Sequence, residues 1–323
     1  MGPVRRRAAW IAGVLALLAT APPSGGCQRD RGAPAGDPVV TGASGRPDGG
    51  PGAADGGFPV VVRDHLGHDV AIAAEPRRIV TLIPSHTEML VALGLGDRIV
   101  GVDDFSDPPA GAAQVPRVGG LYDAHIEQIV ALAPDLVLAS QWGNAAERLS
   151  ALGLHVWAGS ASKFDDVYRV LESVGQLTGR GGAATTMVAR IHAEVEAVEA
   201  PLRALPRVRV YYEIDATPYT AGPGSFIGVM LAKAGGEDII PEGLGDYPRI
   251  SPELVISRDP EVILGVTPED AARRPGWSAI TAVRRGRVGV LPQAERDVVV
   301  RAGPRLAEGL RLLVRRLHPE VAP

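Results

Sequence analysis

The stretch HIEQIVALAPDLVLAS, residues 125–140, returns in outline 126 residues later as SPELVISRDPEVILGV, residues 251–266. Both copies carry a glutamate at the third position and a proline at the tenth. A proline ends a helix at or before the preceding residue, so each copy predicts a helix followed at once by a short buried strand. The recurrence of this unit indicates two domains built to one plan.

The residues around the first copy alternate between strand and helix signals. RRIVTLIP, residues 77–84, is a continuous apolar run typical of a strand buried on both faces. Ser85 and Glu88 form a Ser-x-x-Glu capping box, which predicts a helix over TEMLVALG, residues 87–94. This alternation predicts an α/β lobe with a mainly parallel sheet over residues 58–162.

The same order of elements follows the middle of the chain. VRVYYEI, residues 208–214, reads as a strand, and the helix after it begins at an N-cap, Ser225. We therefore predict a second α/β lobe over residues 206–323. Residues 163–205 form a helical bridge, in which apolar residues spaced by three to four predict one long helix. The fold class is thus α/β, with two similar lobes, a bridging helix and a ligand cleft between the lobes.

The N-terminus has the features of an export signal. Three arginines precede an apolar segment that is too short to span a membrane, and SGGC places small residues directly before Cys27. We interpret residues 1–26 as a lipoprotein signal peptide and Cys27 as the site of lipid attachment. Residues 27–57 are rich in Gly, Pro, Ala and Asp, which is typical of a flexible tether. The expected location is the periplasmic or cell-envelope face of a membrane.

Composition excludes several classes of function. The chain has 323 residues, of which 46% are hydrophobic and 22% charged, so it can bury a substantial core. Its net charge of −4 does not favour nucleic-acid binding. Cys27 is the single cysteine, so the lobes have neither a disulfide nor a catalytic thiol. Sequence motifs of common hydrolases and nucleotide-binding enzymes are missing, and we expect no enzymatic activity and no cofactor.

Three longer segments carry a resemblance to a known family: RIVTLIPSHTEMLVALGLGDRIVGVDDFSDPP, PRVGGLYDAHIEQIVALAPDLVLA, and the block from TAGPGSF to GGEDII. They resemble the cobalamin-binding periplasmic protein of ABC importers, within the helical-backbone group that also includes haem and ferric-siderophore carriers. The resemblance implies a monomer that captures a corrinoid and delivers it to a permease dimer with its ATPase. Haem or a ferric siderophore is the alternative cargo, and a ligand-sensing lipoprotein is an alternative role.

Candidate ligand contacts come from two arguments. Ligands of open α/β lobes bind beyond the carboxyl ends of the strands. Aromatic and polar residues gather in the loops predicted to follow these strands, including Asp297 and Arg301 after the last strand. The resemblance adds Leu121, Ser140 and Ile214, three positions at which the family usually has aromatic residues. The combined prediction for the ligand-binding set is Ser85, His86, Phe105, Leu121, Tyr122, Trp142, Tyr247, Asp297 and Arg301.

Some of these residues have other interpretations. His86 fits a polar cleft residue or a helix-start residue better than a metal ligand, and we predict no resident metal site. Trp142 can equally cover the end of its sheet. Tyr122 would be a haem ligand if the cargo were haem, since phenolate ligates haem iron.

The repeat also predicts a contact with a partner. Glu127 and Glu253 occupy equivalent places in the two copies, each in the first turn of a helix, where the helix dipole favours an acid. By resemblance, these two positions carry the surface glutamates that contact arginines of the two permease subunits. A two-lobed carrier needs one such contact per lobe, and we predict that Glu127 and Glu253 dock with the permease.

Overall fold

Short strands and helices alternate along the chain in the computed structural model, which describes residues 57–107 and 115–321. The strands are β1 (Val60–Arg63), β2 (Asp69–Ile72), β3 (Ile79–Thr81), β4 (Ile99–Val102), β5 (Leu136–Ala139), β6 (Val156–Ala158), β7 (Val208–Asp215), β8 (Tyr219–Thr220), β9 (Gly236–Asp238), β10 (Val262–Leu264) and β11 (Val288–Gly289). The α-helices are α1 (Pro84–Ala92), α2 (Ile126–Ala131), α3 (Ala145–Ala151), α4 (Asp166–Leu177), α5 (Gly181–Glu199), α6 (Phe226–Lys233), α7 (Pro252–Arg258), α8 (Pro268–Arg273), α9 (Thr281–Arg284), α10 (Gln293–Val300) and α11 (Leu306–Leu317).

The two lobes have sheets of the same strand order. The N-terminal sheet runs β4-β3-β5-β6, and the C-terminal sheet runs β9-β7-β10-β11, with all of these pairs parallel. Strand β8 adds an antiparallel edge beside β7, and β1 pairs with β2 as a separate antiparallel hairpin. The predicted fold class of two similar α/β lobes with mainly parallel sheets is confirmed.

The sequence repeat is visible in the backbone. Ala133 and Asp259, the residues before the two repeated prolines, both have φ of 45°, and no other non-glycine residue of the described ranges has positive φ. A left-handed residue followed by proline is a common way to end a helix. Helices α2 and α7 therefore end in the same manner, each just before a buried strand.

A helical hairpin connects the lobes. Helix α4 packs on the N-terminal lobe, and the long helix α5 packs both on α4 and on the closing helix α11. One apolar core runs through the inner faces of both sheets and through this bridge. Each sheet has a separate apolar cluster on its outer face. The carboxyl ends of the strands remain outside these layers, and the loops that follow them form the candidate site.

Two predicted helix features differ in the structure. Helix α1 begins at Pro84 with Ile83 as its N-cap, and no side chain caps it, so the predicted Ser85–Glu88 capping box is wrong. Proline needs no donor partner at the first helical position, which lets the helix start before Ser85. Helix α6 begins as predicted, because the Ser225 side chain accepts a hydrogen bond from the Gly228 amide at 2.9 Å.

Candidate functional site

Charged contacts join the two lobes where their strand ends face each other. Arg301, the C-cap residue of α10, donates from Nη1 to Glu88 Oε1 at 2.9 Å and to Asp107 Oδ2 at 3.0 Å, and from Nη2 to the Phe105 carbonyl at 2.9 Å. A second contact joins Lys163 Nζ to Asp246 Oδ2 at 2.5 Å. The carboxyl ends of the N-terminal and C-terminal sheets thus meet around one shared region.

Arg301 is almost fully enclosed by acceptors. Its side chain is 7% exposed, and Asp297 of the same helix lies 3.3 Å from Nη2. Burial raises the pKa of Glu88, and the Arg301 hydrogen bond acts in the opposite direction. Asp297 and Arg301 were expected on a loop but lie on α10 and at its end. Arg301 is therefore a link between the lobes, in contact with carboxylates of both.

A chain of buried hydroxyl groups supports the Phe105 loop. Thr81 Oγ1 lies 2.7 Å from Thr87 Oγ1, which lies 2.8 Å from Ser106 Oγ. Ser106 donates to Asp103, whose other carboxylate oxygen accepts from the Phe105 amide at 2.8 Å. Burial raises the pKa of Asp103 to about 6. This network holds Phe105 beside the Arg301 contact, with its carbonyl turned toward the guanidinium.

The next two loops of the N-terminal lobe pack closely against each other. A Cβ at Gly143 would lie 2.6 Å from the Leu121 carbonyl, and φ of Gly143 is +82°, so this close approach requires glycine. Leu121 is buried, whereas Tyr122 is 43% exposed. The Trp142 amide donates to Ser140 Oγ at 3.2 Å, and its ring is partly exposed. The structure thus brings the predicted residues of these two loops together.

The two predicted residues at the start of α1 differ in accessibility. Ser85 is partly exposed, but His86 is fully buried and its ring centroid lies 5.9 Å from that of Trp157. Burial lowers the pKa of His86 to about 4, and neither ring nitrogen forms a hydrogen bond of acceptable geometry within the described residues. A side chain with no accessible surface cannot contact a ligand in this conformation, so the expectation for His86 does not fit the structure.

Tyr247 lies on the C-terminal lobe beside the turn that starts α6. The Gly222 amide donates to the Asp246 carbonyl at 2.7 Å, and a Cβ at Gly222 would lie 2.2 Å from the Gly245 carbonyl. The GPGSF sequence, residues 222–226, therefore allows a close approach of two backbone segments. Burial raises the pKa of Tyr247 to about 12, so its phenol is neutral at physiological pH.

A small cavity opens at the carboxyl end of the C-terminal sheet. Its volume is about 50 Å³, and it is lined by Tyr212, Glu213, Ile214, Ile227, Gly265, Val290, Leu291, Arg296 and Val300. Gly265 has φ of +88°, and a Cβ there would lie 1.9 Å from the Glu213 carbonyl. Ile214, an expected ligand contact, forms one wall. The cavity thus lies at the strand ends, where open α/β lobes bind ligands.

The two predicted docking glutamates lie at equivalent places on the surface. Glu127 and Glu253 are both exposed, and each is the second residue of its helix, α2 or α7. The backbone amide of Glu253 and the hydroxyl of Ser251 lower the pKa of Glu253. Both side chains are accessible to a partner.

Several residues of the site were not found from the sequence. Glu88 and Asp107 contact the opposite lobe, Lys163 at the start of the bridge contacts the C-terminal lobe, and Arg296 lines the cavity. The only sequence signal for them was their nearness to predicted strand ends. Among the described residues there is no group of three or more His, Cys, Asp or Glu side chains placed to hold a metal ion, and no helix of that part is long and apolar enough to cross a membrane. Cys27 lies outside the described residues.

Comparisons with known proteins agree with this architecture. The family profile described as "Periplasmic binding protein" matches residues 79–295. An ABC transporter substrate-binding lipoprotein of Bacillus subtilis, YvrC, is 31% identical over 277 residues, which cover 81% of this chain and 87% of the relative. A cobalamin-binding protein of Halobacterium salinarum is 34% identical over 216 residues, which cover 64% of this chain and 58% of the relative.

A solved structure has the same fold. The periplasmic haem-binding protein RhuT of Roseiflexus aligns with a TM-score of 0.65 and 25% identity, and the alignment covers 75% of this chain and 98% of that structure. Proteins named for cobalamin and for haem are thus both similar to this chain.

Proposed function

The chain belongs to the periplasmic binding protein family, and from that premise we propose that it captures a corrinoid such as cobalamin outside the cytoplasm and delivers it to the permease of an ABC importer. Substrate binding for transport is the role of this family, and the relative from B. subtilis has the same type of name. We propose that the chain acts as a monomeric carrier without catalytic activity, with its lobes at residues 58–162 and 206–323.

One observation carries the proposed type of cargo. The Phe105 ring lies against Gly120, and the Tyr122 ring lies against Gly143, which follows Trp142. Tyr247 lies on the C-terminal lobe next to Asp246, which contacts Lys163. Aromatic side chains on both sides favour a flat and largely apolar ligand, with polar groups at its edge. A corrinoid in its amide form has that shape and that periphery.

Haem is a second candidate for the cargo. Tyr122 is 43% exposed, and a phenolate can ligate haem iron. Burial raises the pKa of Tyr122, however, so ligation would have to drive the loss of the phenolic proton. The corrinoid is the first choice because the relative that is 34% identical is named as a cobalamin-binding protein.

The visible spectrum of the bound ligand tests the cargo. The purified protein is offered cyanocobalamin and haem separately and is then desalted. We expect cyanocobalamin to be retained, and we expect Tyr247→Ala to weaken its binding about tenfold, because a buried aromatic contact is lost. Tyr247→Phe is the matched control and should bind nearly as well as the wild type. Retention of haem alone, or of neither compound, contradicts the corrinoid proposal.

We propose that Glu127 and Glu253 dock with the permease, and two other exposed glutamates of the chain serve as the control. Glu127→Ala with Glu253→Ala should leave corrinoid binding intact and greatly slow uptake by cells, because paired charges orient the carrier on the permease. Glu147 and Glu269 are also exposed acids in the first turn of a helix, one on each lobe. Glu147→Ala with Glu269→Ala should therefore not affect uptake. Equal uptake by both double variants would remove the docking role.

The anchor is proposed from the sequence alone. We propose that residues 1–26 are removed, that Cys27 carries lipid and that the segment to residue 57 tethers the lobes to the membrane. Cys27→Ser should move the protein to the soluble fraction. If this variant stays with the membrane through a high-salt wash, a lipid anchor at Cys27 is wrong.

A further inference from the structure

Two arginines on or at the end of α10 differ in their surroundings. Arg301 has four acceptors, three of which are carboxylates. The Arg296 side chain has one hydrogen bond among the described residues, to Gln293 Oε1, and its Nε atom is buried without a partner there. No carboxylate of those residues pairs with Arg296, and Asp297 pairs with Arg301 instead. Arg296 is therefore a guanidinium with unused donor capacity.

Besides Arg296, two polar residues line the cavity, Tyr212 and Glu213. The Glu213 carboxylate accepts hydrogen bonds from Arg274 and from the Tyr211 hydroxyl. Tyr212 is 5% exposed, and burial raises its pKa to about 12. Most of the remaining walls are aliphatic side chains. A phenol and a guanidinium in the lining of a mostly aliphatic cavity are suited to a group that accepts hydrogen bonds.

The size of the cavity limits what can enter. About 50 Å³ accommodates a few water molecules or a terminal group of a few heavy atoms, but not a ring system. Most of the lining comes from the carboxyl ends of β7, β10 and β11 and from the residues that follow them, which is the edge where open α/β lobes bind ligands. A side arm of a larger ligand could therefore enter the cavity while the body of that ligand stays in the cleft.

We infer that this cavity is a subsite for a side arm of the cargo that ends in a carbonyl or carboxylate oxygen, which Arg296 binds. An unpaired and partly buried guanidinium is unfavourable, and an acceptor on the ligand would remove that penalty on binding. The subsite rests on the proposed function, since it needs a large ligand in the cleft. Carboxamide and carboxylate arms share this chemistry, and the cargo determines which of them is bound.

Arg296→Met separates a ligand-binding role from a structural role. We expect the affinity for cyanocobalamin to fall about tenfold, because a hydrogen bond from a charged donor is lost. We expect the Tm of the unliganded protein to stay the same or to rise, because methionine has no unpaired buried donor. Arg273→Met is the matched control: Arg273 is 79% exposed on α8, and its replacement should change neither quantity.

Two further measurements complete the test. Val300→Phe fills the cavity but keeps Arg296, and it should also weaken binding. A corrinoid with one side-chain amide hydrolysed to a carboxylate distinguishes a carboxylate arm from a carboxamide arm. If Arg296 binds that carboxylate, the affinity of the wild type for this corrinoid rises and becomes dependent on salt, and the affinity of Arg296→Met does not.

The outcomes are distinct for the subsite and for the proposed function. If the wild type binds cyanocobalamin and both Arg296→Met and Val300→Phe bind it within about twofold of the wild type, the subsite is wrong and the proposed function stands. A fall in Tm of Arg296→Met that parallels its loss of affinity also overturns the subsite, because it indicates a structural role. If the wild type binds neither cyanocobalamin nor haem, the proposed function fails and the subsite fails with it.

Discussion

The two lobes have the same strand order, but they differ in what they bury. Leu136 pairs with Ile79 in the N-terminal sheet, and Val262, its equivalent in the repeat, pairs with Val210 in the C-terminal sheet. Three residues after Ile79, the N-terminal lobe has the buried Leu82. Three residues after Val210, the C-terminal lobe has the buried Glu213.

A second pair of positions differs in the same way. Ile79 pairs with Ile99 in one sheet, and Val210 pairs with Asp238 in the other, so a buried isoleucine is matched by an acid. Glu213 receives two hydrogen bonds from Arg274, at 2.5 and 2.7 Å, and one from the Tyr211 hydroxyl at 3.1 Å. Asp238 accepts from the Ile240 amide at 3.0 Å, but its Oδ2 is buried without a partner among the described residues.

The comparison shows that one backbone plan accepts two kinds of interior. Apolar side chains stabilise their position whatever their neighbours, whereas a buried acid depends on its particular partner. At these two positions the C-terminal sheet should therefore be more sensitive than the N-terminal sheet to the loss of a single side chain and to pH.

The largest expected effect is the loss of the Arg274 partner. Arg274→Leu leaves the carboxylate of Glu213, which is 3% exposed, without its cation, and should lower the free energy of unfolding by about 3–5 kcal/mol. Adding Glu213→Leu gives the C-terminal lobe the residue that the N-terminal lobe has at this place, and should recover most of the loss. Urea unfolding of the two variants measures both changes. A double variant as unstable as the single one would contradict this account of the comparison.

A smaller effect concerns the acid without a full set of partners. Burial raises the pKa of Asp238 to about 7, above its value of about 3.9 in an unfolded chain. The Asp238 carboxyl therefore contributes fully to the free energy of unfolding below about pH 4, where it is protonated. This contribution is lost as the pH rises through about 7. The full shift corresponds to about 4 kcal/mol, and we expect about half of it because the Asp238 side chain is partly exposed. Asp238→Asn should therefore be more stable than the wild type by about 2 kcal/mol at pH 8, and the difference should vanish near pH 4. Thermal unfolding across this range measures it, and a constant difference would mean that Asp238 does not titrate as inferred.

The smallest effect tests the two left-handed residues, and we expect opposite signs. Ala133→Gly relieves a strain of about 1–2 kcal/mol at the cost of backbone entropy, and should stabilise the fold by about 0.5–1 kcal/mol. Asp259 accepts hydrogen bonds from the Thr281 amide at 2.7 Å and from the Thr281 hydroxyl at 2.8 Å. Asp259→Gly loses both of them and should destabilise the fold by about 1 kcal/mol. Stabilisation by both substitutions would show that backbone strain outweighs these hydrogen bonds.

The predictable part of the fold followed from local patterns. The repeated Glu and Pro, the apolar strands and the Ser225 cap were sufficient to predict two α/β lobes, parallel sheets and a helical bridge, because periodicity and capping act within a few residues. Helix α10 was missed, and Asp297 and Arg301 were placed on a loop, because the apolar residues of QAERDVVV are too few to show a helical face. The docking of Glu127 and Glu253 and the lobe boundaries stay predictions.

The sequence by itself determined which residues lie near the strand ends, and therefore the neighbourhood of the site. Only the tertiary structure decided their partners. Glu88 contacts Arg301 instead of capping a helix, and His86 is buried. The Nε donor of Arg296 has no partner among the described residues. Residues 88 and 301 are brought together by the packing of two lobes around a bridge, and their contact has no local pattern. Burial and pairing depend on groups that are distant in the chain, so they appear only when the lobes are assembled.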